Sequence, residues 1–172
     1  MTAGPILVLA AAALLLACWR DLATRTLPDS VPLLLVAAGV IARLVAGDLG
    51  WSLLAAGGVF LLAFLAWRVG ALGGGDVKLL GACALLVGAS AVPALLLGTA
   101  LAGGVLSLPY LLGRRWPPAV PPSAPRGAVA LPGRVMRAEL RRLGRGGPLP
   151  YALAIGAGTL LSLLPHALVP GT

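Results

Sequence analysis

Five acidic side chains occur in the 172 residues, Asp21, Asp29, Asp48, Asp76 and Glu139. Asp29 and Asp48 each stand just before an apolar run and read as helix caps, and Glu139 belongs to an arginine-rich stretch. Asp21 follows one apolar run and Asp76 precedes another, places where ionisable groups are expensive and commonly functional. An ordinary interfacial charge is the competing reading of each. Two carboxylates brought together there cannot both ionise cheaply, so they share a proton and titrate as a pair. The chemistry open to such a pair is that of an aspartyl protease. The ionised member draws a proton from water and the protonated member donates to a carbonyl. The tetrahedral intermediate then collapses with no covalent acyl-enzyme. Asp21 and Asp76, 55 positions apart, are the candidate catalytic residues.

Asp76 ends a glycine triplet in Gly73-Gly74-Gly75-Asp76-Val77-Lys78. Glycines there let the backbone bend and admit an extended peptide close to the acid. A phosphate loop is the rival reading, but the stretch fails the GxxxxGK[ST] pattern. Lys78 is the one lysine beside twelve arginines; a compact ammonium near Asp76 is one reading and chance composition the other. Gly73, Gly75 and Lys78 are thus the candidates for substrate binding or support of the site. Cys18 and Cys83 sit inside apolar runs with no Cys-x-x-Cys pair, so no zinc site or disulfide framework is indicated. Neither a metal nor a cofactor is expected.

The elements that must position these groups follow from composition. The chain is 59% hydrophobic and 10% charged, with a mean hydropathy of +1.01, far more apolar than the roughly 45–50% of a soluble domain. The expectation is an all-α, polytopic membrane helix bundle forming a single domain over 1–172, with no soluble catalytic domain. Six apolar runs span approximately 2–19, 31–46, 51–67, 77–92, 94–112 and 150–168. A cleavable signal is the other reading of the first run, but it lacks a basic start and further runs follow at once. Arg43 lies within a turn of the end of its run, where it can snorkel to the interface, and Trp51 and Trp67 bracket the third run as an aromatic belt would. The fourth run is short for a bilayer core about 30 Å thick, so Asp76 falls at or near the interface. Gly98, Ala100, Gly103 and Gly104 offer small surfaces for close helix packing. Residues 113–149 form a loop rich in proline and arginine. Within it, Met136, Leu140 and Leu143 fall at helical spacing among arginines, which fits a surface helix or simply a solvated basic loop.

Six spans put twelve of the thirteen bases on one side and leave Arg43 for the other. The positive-inside rule makes the basic side cytoplasmic and both termini extracytoplasmic. Asp21 and Asp76 then share the cytoplasmic side. The one histidine, His166, falls opposite, which removes Ser-His and Cys-His schemes there. The net charge of +8 is placed to orient helices and meet anionic lipid, especially at the basic loop, rather than nucleic acid.

These residues resemble the type IV prepilin peptidases, membrane aspartyl proteases with a G-x-G-D motif. Gly73 to Leu79 looks like their second-aspartate motif, and Asp21 followed by Leu27-Pro28-Asp29 looks like their first. Leu149-Pro150-Tyr151-Ala152-Leu153-Ala154-Ile155-Gly156 is similar to their last-helix Pro-Tyr segment. The resemblance implies an aspartic-type endopeptidase in the bacterial cytoplasmic (inner) membrane. Its action would be to remove the short basic leader from prepilins or pilin-like proteins, with Asp21 and Asp76 as the pair. Larger members also methylate the new N-terminus and carry a cytoplasmic insert with paired Cys-x-x-Cys. This chain starts at the first core helix and lacks both features, so the expectation is a minimal form, similar to those of tight-adherence (Flp) pili, without methyltransferase activity. The alternative from another class is a non-enzymatic transport or assembly subunit in which Asp21 and Asp76 bind a cation or proton.

Overall fold

The computed structural model describes residues 4–24, 28–115 and 151–168. Arg25, Leu27 and the Pro/Arg stretch from Trp116, with Glu139 and the amphipathic pattern around Met136, lie outside the described residues. Among those described are six α-helices: α1 (Gly4–Thr24), α2 (Ser30–Ala46), α3 (Leu49–Arg68), α4 (Gly74–Val87), α5 (Val92–Arg115) and α6 (Tyr151–Leu168). A single 3-10 turn, Ala89–Ala91, joins α4 to α5.

Helix ends depart from the apolar runs where backbone chemistry overrides polarity. α1 continues through Arg20 and Asp21 to Thr24, because neither residue breaks a helix; Asp21 therefore stands on α1 rather than in the connector. α4 ends at Val87, short of the expected 92, at Gly88, whose φ of 85° few other residues adopt. α5 then begins at Val92 with Pro93 in its first turn, where a missing N–H costs nothing. α2 ends on Gly47 in the left-handed conformation, its N–H directed to the last-turn carbonyls.

α4 is the axis of the bundle. Val77 and Leu79 through Val87 are all buried, the mark of a helix surrounded on every side. α2, α3 and α6 pack around it, and α5 packs chiefly on α6. That last contact is close: a methyl added to Gly98 would lie 2.9 Å from Gly158 Cα, so the two backbones touch as small residues permit in apolar helix pairs.

Outer faces carry the opposite pattern. Leu33, Leu54, Leu62, Leu101, Val105 and Leu112 are exposed, as are Trp51 and Trp67 near the two ends of α3. Helix Leu49–Arg68 and the stretch Ala89–Leu112 are long and apolar enough to cross a membrane, and only 22% of an apolar 18-residue window in each is buried. A core helix of a water-soluble domain would bury most of itself, whereas these turn their apolar surface outward.

Contacts sort the helix ends into two sets. At one end, Cys18 of α1 meets Ala152 of α6, and Lys78 of α4 meets Asp29 beside α2. At the other, Arg43 and Ser52 both meet Asp48, and Ser52 Oγ accepts from the Ala89 N–H at 3.3 Å. Successive helices therefore alternate in direction. The end of α1 and the starts of α2, α4 and α6 lie together.

Candidate active site

Asp76 is the third residue of α4. Gly73 caps the helix in an extended conformation (φ −79°, ψ 148°), and its carbonyl accepts from the N–H groups of Asp76 at 3.1 Å and Val77 at 3.2 Å. A carboxylate in the first turn is favoured by the partial positive charge of the helix start, and this position reaches back toward the cap. A methyl on Gly73 would lie 2.8 Å from Asp76 Oδ2, so the carboxylate is folded over Gly73 in space that only glycine leaves open. The triplet is thus not a flexible loop. Gly74 and Gly75 are the first two helical residues, held there by burial of Val77, Leu79 and Leu80 just beyond.

The half-buried Asp76 lines a cavity of about 420 Å³ between α4, α5 and α6. Leu72 and Leu80 flank it on the α4 side, Tyr151 and Ile155 on α6, and α5 supplies the long wall. Asp21 is 8% exposed. One turn before it, Cys18 Sγ donates to Ala152 O at 3.3 Å. Ala152 is the neighbour of Tyr151, so the start of α6 has Asp21's turn of α1 against it and also borders Asp76's cavity. The two aspartates therefore belong to one end of the bundle, on helices that both converge on α6.

Lys78 goes elsewhere. Two residues past Asp76 it is turned about 200° around the helix, and its Nζ donates to Asp29 Oδ1 at 2.7 Å. It lines a separate groove of about 540 Å³ between α2, α3 and α4, with Asp29, Pro32, Phe60 and Leu85. Asp29 does occupy the cap position of α2, but its side chain makes no capping hydrogen bond; the ammonium is the stronger partner. Asp48, likewise at a cap position without a capping bond, pairs with Arg43 at 3.3 Å and accepts from Ser52 Oγ at 3.2 Å. Arg43 thus turns into the protein instead of snorkelling outward.

In the sequence Tyr151 carries only a resemblance and Gly103 and Gly104 only a packing role, yet all three line the cavity with Asp76. A signal was present: Leu96, Thr99, Ala100, Gly103, Gly104 and Ser107 recur at three and four residues and share one face of α5. Thr99 Oγ1 is buried against Gly158 of α6, so this residue also belongs to the close contact between the two helices.

No curated protein and no solved structure matches the chain. The sequence model of the type IV leader peptidase family matches residues 8–108, more than half of its length. The match takes in the helices that carry both aspartates, Asp21 on α1 and Asp76 on α4, and most of the α5 wall facing Asp76. The chain belongs to the type IV leader peptidase family.

Proposed function

We propose that the protein is a membrane aspartyl endopeptidase that removes the short basic leader from type IV prepilins or pilin-like proteins, using Asp21 and Asp76 to activate water. The observation that carries this reading is the gathering of both carboxylates at one end of the bundle, Asp76 at a cavity and Asp21 buried beside the same helix start. The two other acids within the described residues, Asp29 and Asp48, are engaged by Lys78 and Arg43.

The pair holds one proton between its members. The ionised carboxylate accepts a proton from water as the oxygen attacks the scissile carbonyl, and the protonated one donates to the carbonyl oxygen. Collapse of the tetrahedral species breaks the C–N bond: one of its hydroxyls returns a proton to the pair as the carbonyl re-forms, and the departing nitrogen takes a proton from the pair. Water is added across the peptide bond and the dyad returns to its starting state.

The exposed apolar faces of α3 and α5 fit a multi-pass bundle in the cytoplasmic membrane. With the site's end cytoplasmic, the basic residues at that end follow the positive-inside rule, and the Pro/Arg loop meets anionic lipid. The test is processing of a co-expressed pilin-like protein by Asp21→Asn and Asp76→Asn variants that insert normally. Each is expected to abolish leader removal; continued processing by either ends the dyad reading.

A further inference from the structure

The cavity at Asp76 extends well beyond the carboxylate. The face of α5 from Leu96 to Ser107 lines it, and the eleven helical steps between them cover about 16 Å. α5 runs opposite to α4, so Ser107 and Gly104 lie toward Asp76's end and Leu96 toward the middle of the bundle. Among the lining residues Asp76 is the one charged group.

From this geometry we infer that the α5 groove is the subsite for the apolar residues that follow the cleaved bond, bound in extended form, with Gly104 setting the size it accepts. The inference rests on the peptidase reading above and names which part of the substrate lies where. A basic leader has nothing to meet in a groove with one carboxylate at its end and apolar walls beyond, whereas an apolar segment gains by burial there. The segment must be extended, because in a helix the scissile carbonyl is bonded to the amide four residues on and closed to attack. Extension leaves peptide groups unpaired in apolar surroundings, which weakens binding. Thr99 Oγ1 offers such a group nothing, because it is buried against Gly158 in the contact between α5 and α6. Ser107 Oγ is already committed to Gly104 O at 2.6 Å.

Gly104 is the informative position. A methyl added there would meet nothing within 4 Å, whereas one on Gly103 would touch Ala154 at 3.7 Å. A side chain at 104 therefore fills the groove without displacing the protein. Even one methylene in a fitted apolar pocket changes selectivity by roughly 10–200-fold.

The experiment uses the full chain in nanodiscs and a pilin-like reporter with a short Lys/Arg leader ahead of an apolar segment, the cut being mapped by mass spectrometry. Gly104→Leu is expected to lower kcat/KM at least roughly tenfold, with unchanged melting. Part of the loss should return for a reporter carrying alanine at one of the first five positions after the cut. Gly58→Leu, a like change on α3 where a side chain also meets nothing within 4 Å, is expected to cleave as the parent does. A binding readout separates the groove from the chemistry. In an Asp76→Asn background, Gly104→Cys should form a disulfide with a reporter cysteine just after the cut and not with one in the leader; Cys18 and Cys83 are buried. Full activity of Gly104→Leu, a loss identical for every reporter, or crosslinking to the leader would each overturn the subsite. Failure of the parent protein to cut the reporter would overturn the peptidase reading instead.

Discussion

Gly73→Ala isolates the placement of Asp76 from the stability of the fold. The added methyl would lie 2.8 Å from Asp76 Oδ2, where ordinary contact begins at 3.4 Å, so the carboxylate must retreat by about 0.6 Å. A misplacement of 1 Å in a catalytic group costs on the order of 100-fold, and 0.6 Å scales to roughly tenfold. The backbone offers no strain, since φ −79°, ψ 148° is extended and open to alanine. Alanine is a poorer cap than glycine by about 0.5–1 kcal/mol, and the stiffer unfolded chain returns about 0.4–1 kcal/mol. The expected result is a roughly tenfold fall in kcat/KM for leader removal with melting in detergent nearly unchanged. Gly74→Ala is the control, because its methyl would sit 3.6 Å from Trp67 Nε1, an ordinary contact, and should behave as the parent. Undiminished cleavage by a folded Gly73→Ala protein would refute the argument that Asp76 acts from its present position. Equal losses in the Gly73 and Gly74 variants would refute the role given to the missing methyl.

The dyad requires a bell-shaped rate profile: activity falls in acid when both carboxylates are protonated and no base remains, and in alkali when both are ionised and no acid remains. A flat profile across pH 3–9 on a soluble peptide substrate would contradict it. Lys78→Ala breaks an exposed pair with side chains 52% and 80% accessible, so melting should shift by no more than about 1 kcal/mol equivalent and cleavage should persist; a loss like that of Asp76→Asn would return Lys78 to the site. Gly88→Ala places a methyl on the Arg43 guanidinium at a φ of +85°, and should destabilise by about 1–3 kcal/mol while leaving kcat per folded molecule intact, as the Arg43–Asp48 end is remote from the site. For topology, cysteines at the exposed positions 71 and 50 should label from opposite faces, 71 from the cytoplasm; labelling from one face would remove the alternating six-span arrangement.

Much of this was written in the chain. Apolar composition and run length determine helices and their number, because every backbone group in an apolar medium needs a partner within its own segment. The scarcity of acids made Asp21 and Asp76 conspicuous, and the charge asymmetry assigned them to one side. Tertiary structure alone decided the partners. Whether Asp29 caps α2 or takes Lys78 depends on which helix α4 lies against, and local spacing carries no record of that. It likewise turned the glycine triplet from a bend into a helix start, and it placed Ala100, Gly103 and Gly104 in a cavity wall while Gly98 packs on Gly158. A glycine reads the same in sequence whether its missing side chain makes room for a neighbouring helix, for a carboxylate or for open space in a cavity wall, and only the packing around Gly98, Gly73 and Gly104 distinguishes them.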